Sequence, residues 1–203
     1  MTLLGRLVIT IVCAPLVSCA LTIVDPELPA HFREDMTLRD HAGVEYDAIL
    51  SMPHGEPIAL AVLFGGGSVT DPHWTVPATV VIENQTVALT TGAPTRDADA
   101  IADALLRRGI AVYQFSSIPR ASLGPGVNPG MVPGVPYAES RAIACAALTQ
   151  ALAVEQTFAL PVVCIGHSLG SARMLQCVPT DPRIGGFVAL SGEDRIVYDQ
   201  DLS

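Results

Sequence analysis

The sequence predicts an α/β domain whose sheet is mostly parallel, with helices on both faces. Three observations carry that expectation. Short runs, Ile58 to Phe64 and Leu160 to Ile165 wholly apolar and Ile110 to Phe115 apolar but for Gln114, have the pattern of strands buried on both faces. Two longer stretches with helical period, Thr95 to Arg108 and Tyr137 to Glu155, lie between them. Strand and helix alternating through short links is the mark of a parallel sheet. At 203 residues, half of them apolar, the chain suits one such domain with a full core, and it shows no internal repeat and no second domain.

The formal net charge of −9 argues against nucleic acid as a partner and against electrostatic attraction to an anionic membrane. Lysine is absent from the sequence, which reads as a coding bias and not as a functional signal.

Residues 1–18 read as a signal peptide and stand outside the fold. Arg6 supplies a positive n-region, and the apolar run Leu7 to Val17 is too short to span a bilayer. It closes on Leu16-Val17-Ser18-Cys19-Ala20, which resembles the lipobox of bacterial lipoproteins. That resemblance implies that the Cys19 thiol receives a diacylglyceryl group and becomes the first mature residue. The chain would then be exported and held at the membrane of the cell envelope by its lipid. Ser18-x-Ala20 also fits a small-x-small cleavage site, which would give a secreted soluble chain instead. Residues 19–35, polar and proline-bearing, read as a tether, and 36–203 as the domain.

Beyond residues 1–20 Cys145, Cys164 and Cys177 remain, an odd count that suggests no disulfide framework, although export would permit a bridge. Cys145 falls in a helical pattern and Cys164 in a buried strand, so both read as packed thiols. No metal-ligand spacing is present.

In chain order, Met36 to Asp40 and Val44 to Met52 alternate around His41-Ala42-Gly43 as an antiparallel hairpin. The strand Ile58 to Phe64 runs into Gly65-Gly66-Gly67-Ser68, and Asp71-Pro72-His73-Trp74 follows. Thr79 to Glu83 and Thr86 to Thr91 suggest a second hairpin, a flap or an edge decoration with no assigned role. In the helix Thr95 to Arg108, Ala98, Ile101, Ala102, Leu105 and Leu106 form one face. Asp97 and Asp99 match the positive end of its dipole, Arg107 and Arg108 the negative end, and Gly109 stops it. Those charges read as a solvated face and helix ends. After Phe115, Ser116 to Pro136 is dense in Pro and Gly and reads as a loop, either a lid at the site mouth or a plain surface loop. The helix Tyr137 to Glu155 presents Ala144, Ala147, Leu148 and Ala151, and a last strand covers Gly186 to Leu190.

The chemistry sits in Gly166-His167-Ser168-Leu169-Gly170, placed between a buried strand and a helix. A tight turn there exposes the serine hydroxyl, glycines let strand and helix approach, and the helix start aims free N–H groups at developing negative charge. On the motif and its context, this part of the chain resembles the α/β-hydrolase family, in which Gly-His-Ser-Leu-Gly is a common nucleophile elbow. The resemblance implies a serine hydrolase of the esterase or thioesterase kind, acting on a small acyl ester through an acyl-enzyme on Ser168. It implies oxyanion N–H groups from Leu169 and from Gly65 or Gly66, and neither metal nor organic cofactor. Phe64 stands where family members often carry a histidine before the glycines.

In the resembled fold the order is Ser, then acid, then His, and no histidine follows Ser168 here. The expectation is therefore a C-terminally truncated form covering about the first two-thirds of the fold. Its activity would be impaired, or the chain would be a non-catalytic binding lipoprotein or gene fragment. His167 should point away from its neighbour Ser168. His73, on the same sheet edge, is the one candidate base, otherwise a surface loop histidine, and Glu193 or Asp194 are candidate acids.

Overall fold

The chain folds from a hairpin inward. In the computed structural model, residues 32–66, 71–76, 79–82, 85–88, 95–122, 136–157, 159–177 and 181–190 are described. Strand β1 (Phe32–Arg39) pairs antiparallel with β2 (Glu45–Met52), from Phe32 opposite Met52 to Arg39 opposite Glu45. Asp40 closes the turn, its Oδ1 accepting the N–H groups of Ala42 and Val44 at 2.9 Å each. Gly43 takes φ +78°, which a side chain would resist. The first strand thus begins inside the stretch read as a tether, because residues 32–35 find partners on β2.

The remaining elements are β3 (Ala59–Phe64), β4 (Thr75–Val76), β5 (Thr79–Ile82), β6 (Gln85–Ala88), β7 (Thr95–Arg96), α1 (Asp97–Leu106), β8 (Ile110–Pro119), α2 (Tyr137–Ala153), β9 (Val162–His167), α3 (Leu169–Cys177) and β10 (Ile184–Leu190). The main sheet has the order β1-β2-β8-β3-β9-β10. Its β8, β3, β9 and β10 are mutually parallel, and β2 joins β8 antiparallel. The second hairpin is present as β5 and β6.

Two cores cover the two sheet faces. Ala98, Ala102 and Leu106 of α1 pack on Ala61, Leu63, Val112 and Ile165. On the other face Ile143, Ala144, Ala147, Leu148 and Ala151 of α2, with Met174 of α3, pack on Leu60, Val62, Phe64, Tyr113 and Cys164. Odd and even residues of β3 divide between the faces as a strand's period of two demands.

Several boundaries differ from the sequence reading. Helix α1 starts at Asp97 because Thr95 and Arg96 pair with Val76 and Thr75 instead. Arg107 and Arg108 lie in the turn beyond Leu106, which Gly109 ends at φ +75°. Strand β8 runs on to Pro119, four residues past Phe115. Ser116 makes that extension tolerable, its hydroxyl accepting the N–H of Ile118 at 2.9 Å and donating to the same residue's carbonyl at 3.0 Å.

Cys145 and Cys177 are joined in a disulfide across 4.8 Å between Cα atoms, correcting the reading of Cys145 as a packed thiol. They sit at facing positions of α2 and α3, and the third cysteine that made the count odd, Cys164, is buried in β9. Burial pushes its thiol up to about 12. Among the described residues no helix is long and apolar enough to cross a membrane. The expected signal peptide, Cys19 and most of the tether lie outside the described residues, as do 123–135 of the Pro- and Gly-rich stretch and both Glu193 and Asp194.

Candidate active site

Strand β9 carries the chain to the carboxyl edge of the sheet between β3 and β10, with Gly166 opposite Phe64 and His167 opposite Leu190. The turn that follows puts Ser168 at φ +51°, a left-handed backbone that a serine seldom adopts. Three bonds hold it there. Its N–H donates to the Leu190 carbonyl at 2.9 Å, and its carbonyl accepts the Ser171 N–H at 2.9 Å. The Ser171 hydroxyl donates to the Gly166 carbonyl at 2.8 Å. A Cβ on Gly166 would lie 2.6 Å from the Ser171 Cα, and one on Gly170 would overlap the Phe64 carbonyl oxygen. Both glycines of the motif are thus required by close approach. Helix α3 starts at Leu169, directly after Ser168.

The glycines after β3 separate into two roles by position. Gly65 is buried, and its carbonyl faces Gly170 and accepts from Arg173 Nη1 at 3.4 Å. Gly66 lies against the elbow: a Cβ there would be 3.0 Å from Ser168 Cβ and 2.9 Å from His167 Nδ1. In a trans peptide the Gly66 N–H points opposite to the Gly65 carbonyl, so the Arg173 contact fixes its direction. Of the two glycines named from the sequence, Gly66 is the one beside Ser168. Arg173 was not anticipated. It is 3% exposed, although an arginine in a short amphipathic helix ordinarily reads as solvent-facing. Together with Phe64, Gly65, Phe115, Ser117, Ser140 and Ala144 it lines a cavity roomy enough for about one water.

His73 has a different environment from the one the sequence suggested. It is half-buried, with Nδ1 at 2.8 and 3.0 Å from the two carboxylate oxygens of Asp99 and Nε2 at 3.4 Å from Arg33 Nη2. Arginine only donates, so Nε2 accepts and Nδ1 carries the proton given to Asp99. Burial raises the Asp99 carboxyl. Hydrogen bonds from His73 and Gln114 and the nearby charge of Arg33 outweigh it and hold the group below the usual carboxylate range. Asp99 is therefore a partner of His73 and not part of a solvated helix face. Both ring nitrogens of His73 are engaged away from Ser168. Among the described residues no side chain hydrogen-bonds the Ser168 hydroxyl.

The residue after His73 does reach the elbow. Trp74, buried and at φ +51°, stacks on His167 with ring centroids 5.9 Å apart and planes at 27°. His167 thus packs on Trp74 at the α1 side of the sheet, and its Nδ1 lies close to Gly66.

The sheet order, the strand–turn–helix at Ser168 and the glycine loop beside it place this architecture among known ones. The fold is that of the α/β hydrolases. A dienelactone hydrolase from Anabaena variabilis superposes with a TM-score of 0.56 at 12% identity, over 80% of this chain and 64% of that one. An esterase from Pyrococcus furiosus gives 0.51 at 14% identity, over 80% and 51%. A dienelactone hydrolase-like promiscuous phosphotriesterase from metagenomic libraries gives 0.52 at 18% identity, over 81% and 60%. The chain therefore spans less than two thirds of the length of each of these α/β-hydrolase structures. No family model and no curated protein matches it in sequence.

Proposed function

We propose that the chain is a serine hydrolase in which Ser168 attacks the carbonyl of a small carboxylic ester or thioester. The observation that supports this best is the left-handed Ser168 at the tip of a strand–turn–helix with Gly66 packed against it. A strained residue at the carboxyl edge of a parallel sheet is where such folds carry their chemistry. In the proposed reaction the Ser168 oxygen bonds to the acyl carbon as its proton departs to a base. The carbonyl oxygen becomes an oxyanion facing the N–H groups of Leu169 and Gly66. The carbon–oxygen or carbon–sulfur bond then breaks, and water later releases the acid.

The competing reading, a non-catalytic binding lipoprotein on the same fold, draws on the Ser168 hydroxyl having no side-chain partner among the described residues. One experiment separates them. Incubation with p-nitrophenyl acetate should leave an acetyl group on the peptide containing Ser168, found by mass spectrometry and absent in Ser168→Ala. No adduct in the native chain overturns the catalytic reading.

The anchor belongs to the same proposal. Cys19, in its lipobox-like setting, would hold the exported protein at the membrane. The exported form should partition with detergent, and Cys19→Ala should abolish this. Unlipidated mature protein starting at Leu21 would refute the anchor.

A further inference from the structure

We propose that the pair His73–Asp99 is a positioning device that holds Trp74 on His167 and so sets Gly66 against Ser168. The inference rests on Ser168 being the nucleophile and adds residues that the elbow motif does not contain.

Trp74 carries two unfavourable features at once. Its backbone lies in the left-handed region at φ +51°, and its buried indole N–H meets no hydrogen-bond acceptor among the described residues. Ser168 and Trp74 are the two non-glycine residues of positive φ among those described, and His167 links them. Where a chain breaks its own local rules, a supporting structure must over-determine the conformation, and function is the usual reason.

That supporting structure is present on both sides of Trp74. Before it, the His73 carbonyl accepts the Ala98 N–H at 3.1 Å, while the His73 ring bonds Asp99 in the first turn of α1. After it, Thr75 donates to Asp71 through its N–H at 2.8 Å and its hydroxyl at 2.7 Å. The Trp74 N–H itself reaches the Asp71 carbonyl at 3.1 Å. Gln114, from the middle of β8, ties the assembly to the sheet by donating to the Pro72 carbonyl at 3.0 Å and to Asp99 at 3.3 Å. The loop is thus fastened to a helix and to a central strand, the rigid parts on which a site is held best.

What the loop presents is the indole ring, and the ring backs His167. His167 Nδ1 in turn sits where Gly66 could accept no side chain. Removing the ring or letting it swing would free His167 to rotate and would slacken Gly66 relative to the Ser168 oxygen. A displacement of about 1 Å in such a site slows reaction by about 100-fold.

Trp74 is the only tryptophan of the chain, so intrinsic emission reports it directly. His73→Leu removes the donor to Asp99 and keeps the bulk, whereas His73→Asn keeps an N–H near the Nδ1 position. In His73→Leu the emission should shift to the red, acrylamide should quench it more strongly, and acetylation of Ser168 should slow by about 10- to 100-fold at saturating p-nitrophenyl acetate, with little change in the concentration giving half-saturation. His73→Asn should restore both signals. Trp74→Gly, whose backbone is at ease at positive φ, should slow acetylation without loosening the loop. It decides the question if His73→Leu does not fold. Unchanged emission and quenching in folded His73→Leu, or unchanged acetylation in Trp74→Gly, overturns the proposal. If the native chain is not acetylated at all, the reading of Ser168 fails, and the emission measurements alone decide whether the pair holds Trp74.

Discussion

At Ser168 the backbone adopts what glycine would prefer, and the side chain is what the proposed acyl transfer requires. Residues held in such regions typically cost about 1–3 kcal/mol. Ser168→Gly should therefore be more stable than Ser168→Ala by about 0.5–1 kcal/mol, with neither forming an acyl adduct, since glycine relieves the strain and alanine does not. Urea unfolding of the two variants checks this, and equal midpoints would show an unstrained turn. The elbow was legible from the sequence because its parts are adjacent: an apolar run, two spaced glycines and a helix start. The His73–Asp99 pair was not legible. Its members are 26 residues apart, and an aspartate in a first helical turn already has a sufficient local explanation in the helix dipole. Arg173 escaped notice for a related reason, since its burial depends on the Gly65 loop arriving from a distant strand.

Among the elements, α2 and α3 are tied by the one covalent link the described residues contain. The Cys145–Cys177 disulfide closes a segment with a sequence separation of 32, and that segment holds all of β9, Ser168 and nearly all of α3. By loop-closure entropy, a link of this span stabilises by about 3–4 kcal/mol. Paired replacement, Cys145→Ser with Cys177→Ser, should lower the unfolding free energy by about that amount, read from urea midpoints at constant m-value. A loss under about 1 kcal/mol would place its value elsewhere than in restraining the unfolded chain. The parity of the cysteine count concealed this pair: an odd number says one thiol is left over, not that all three are. The helix boundaries were misjudged by two residues at each end of α1. At its start, strand pairing of Thr95 and Arg96 outcompetes the helix, and periodicity within one segment cannot register a partner from another.

The whole molecule assembles its site from segments that meet only through the sheet order. Strand β8 lies between β2 and β3, and β3 lies between β8 and β9, so the loop after β3 is brought beside the elbow after β9. Alternating strands and helices indicated a parallel sheet, but an order in which sequence neighbours are not sheet neighbours is a long-range outcome. Periodicity within single segments does not register it. Catalysis is the last property decided at this scale. A serine hydroxyl needs a base in both half-reactions, and such proton transfer contributes about 10²–10⁴-fold. The described residues place no side chain on the hydroxyl, and His73 is turned to Asp99 and Arg33. An oxyanion site and binding alone retain about 10³–10⁴-fold over water. The first step with a p-nitrophenyl ester is eased by its good leaving group. Release of the acyl group from the serine, a poor leaving group, has no such help. The 203-residue chain should therefore release p-nitrophenol in a slow, stoichiometric phase followed by almost no turnover, and Ser168→Ala should remove that phase. Sustained linear turnover lost in Ser168→Ala would show that a base does reach the serine, and its loss also in His73→Asn, which keeps the N–H toward Asp99 but cannot take up a proton, would identify that base as His73.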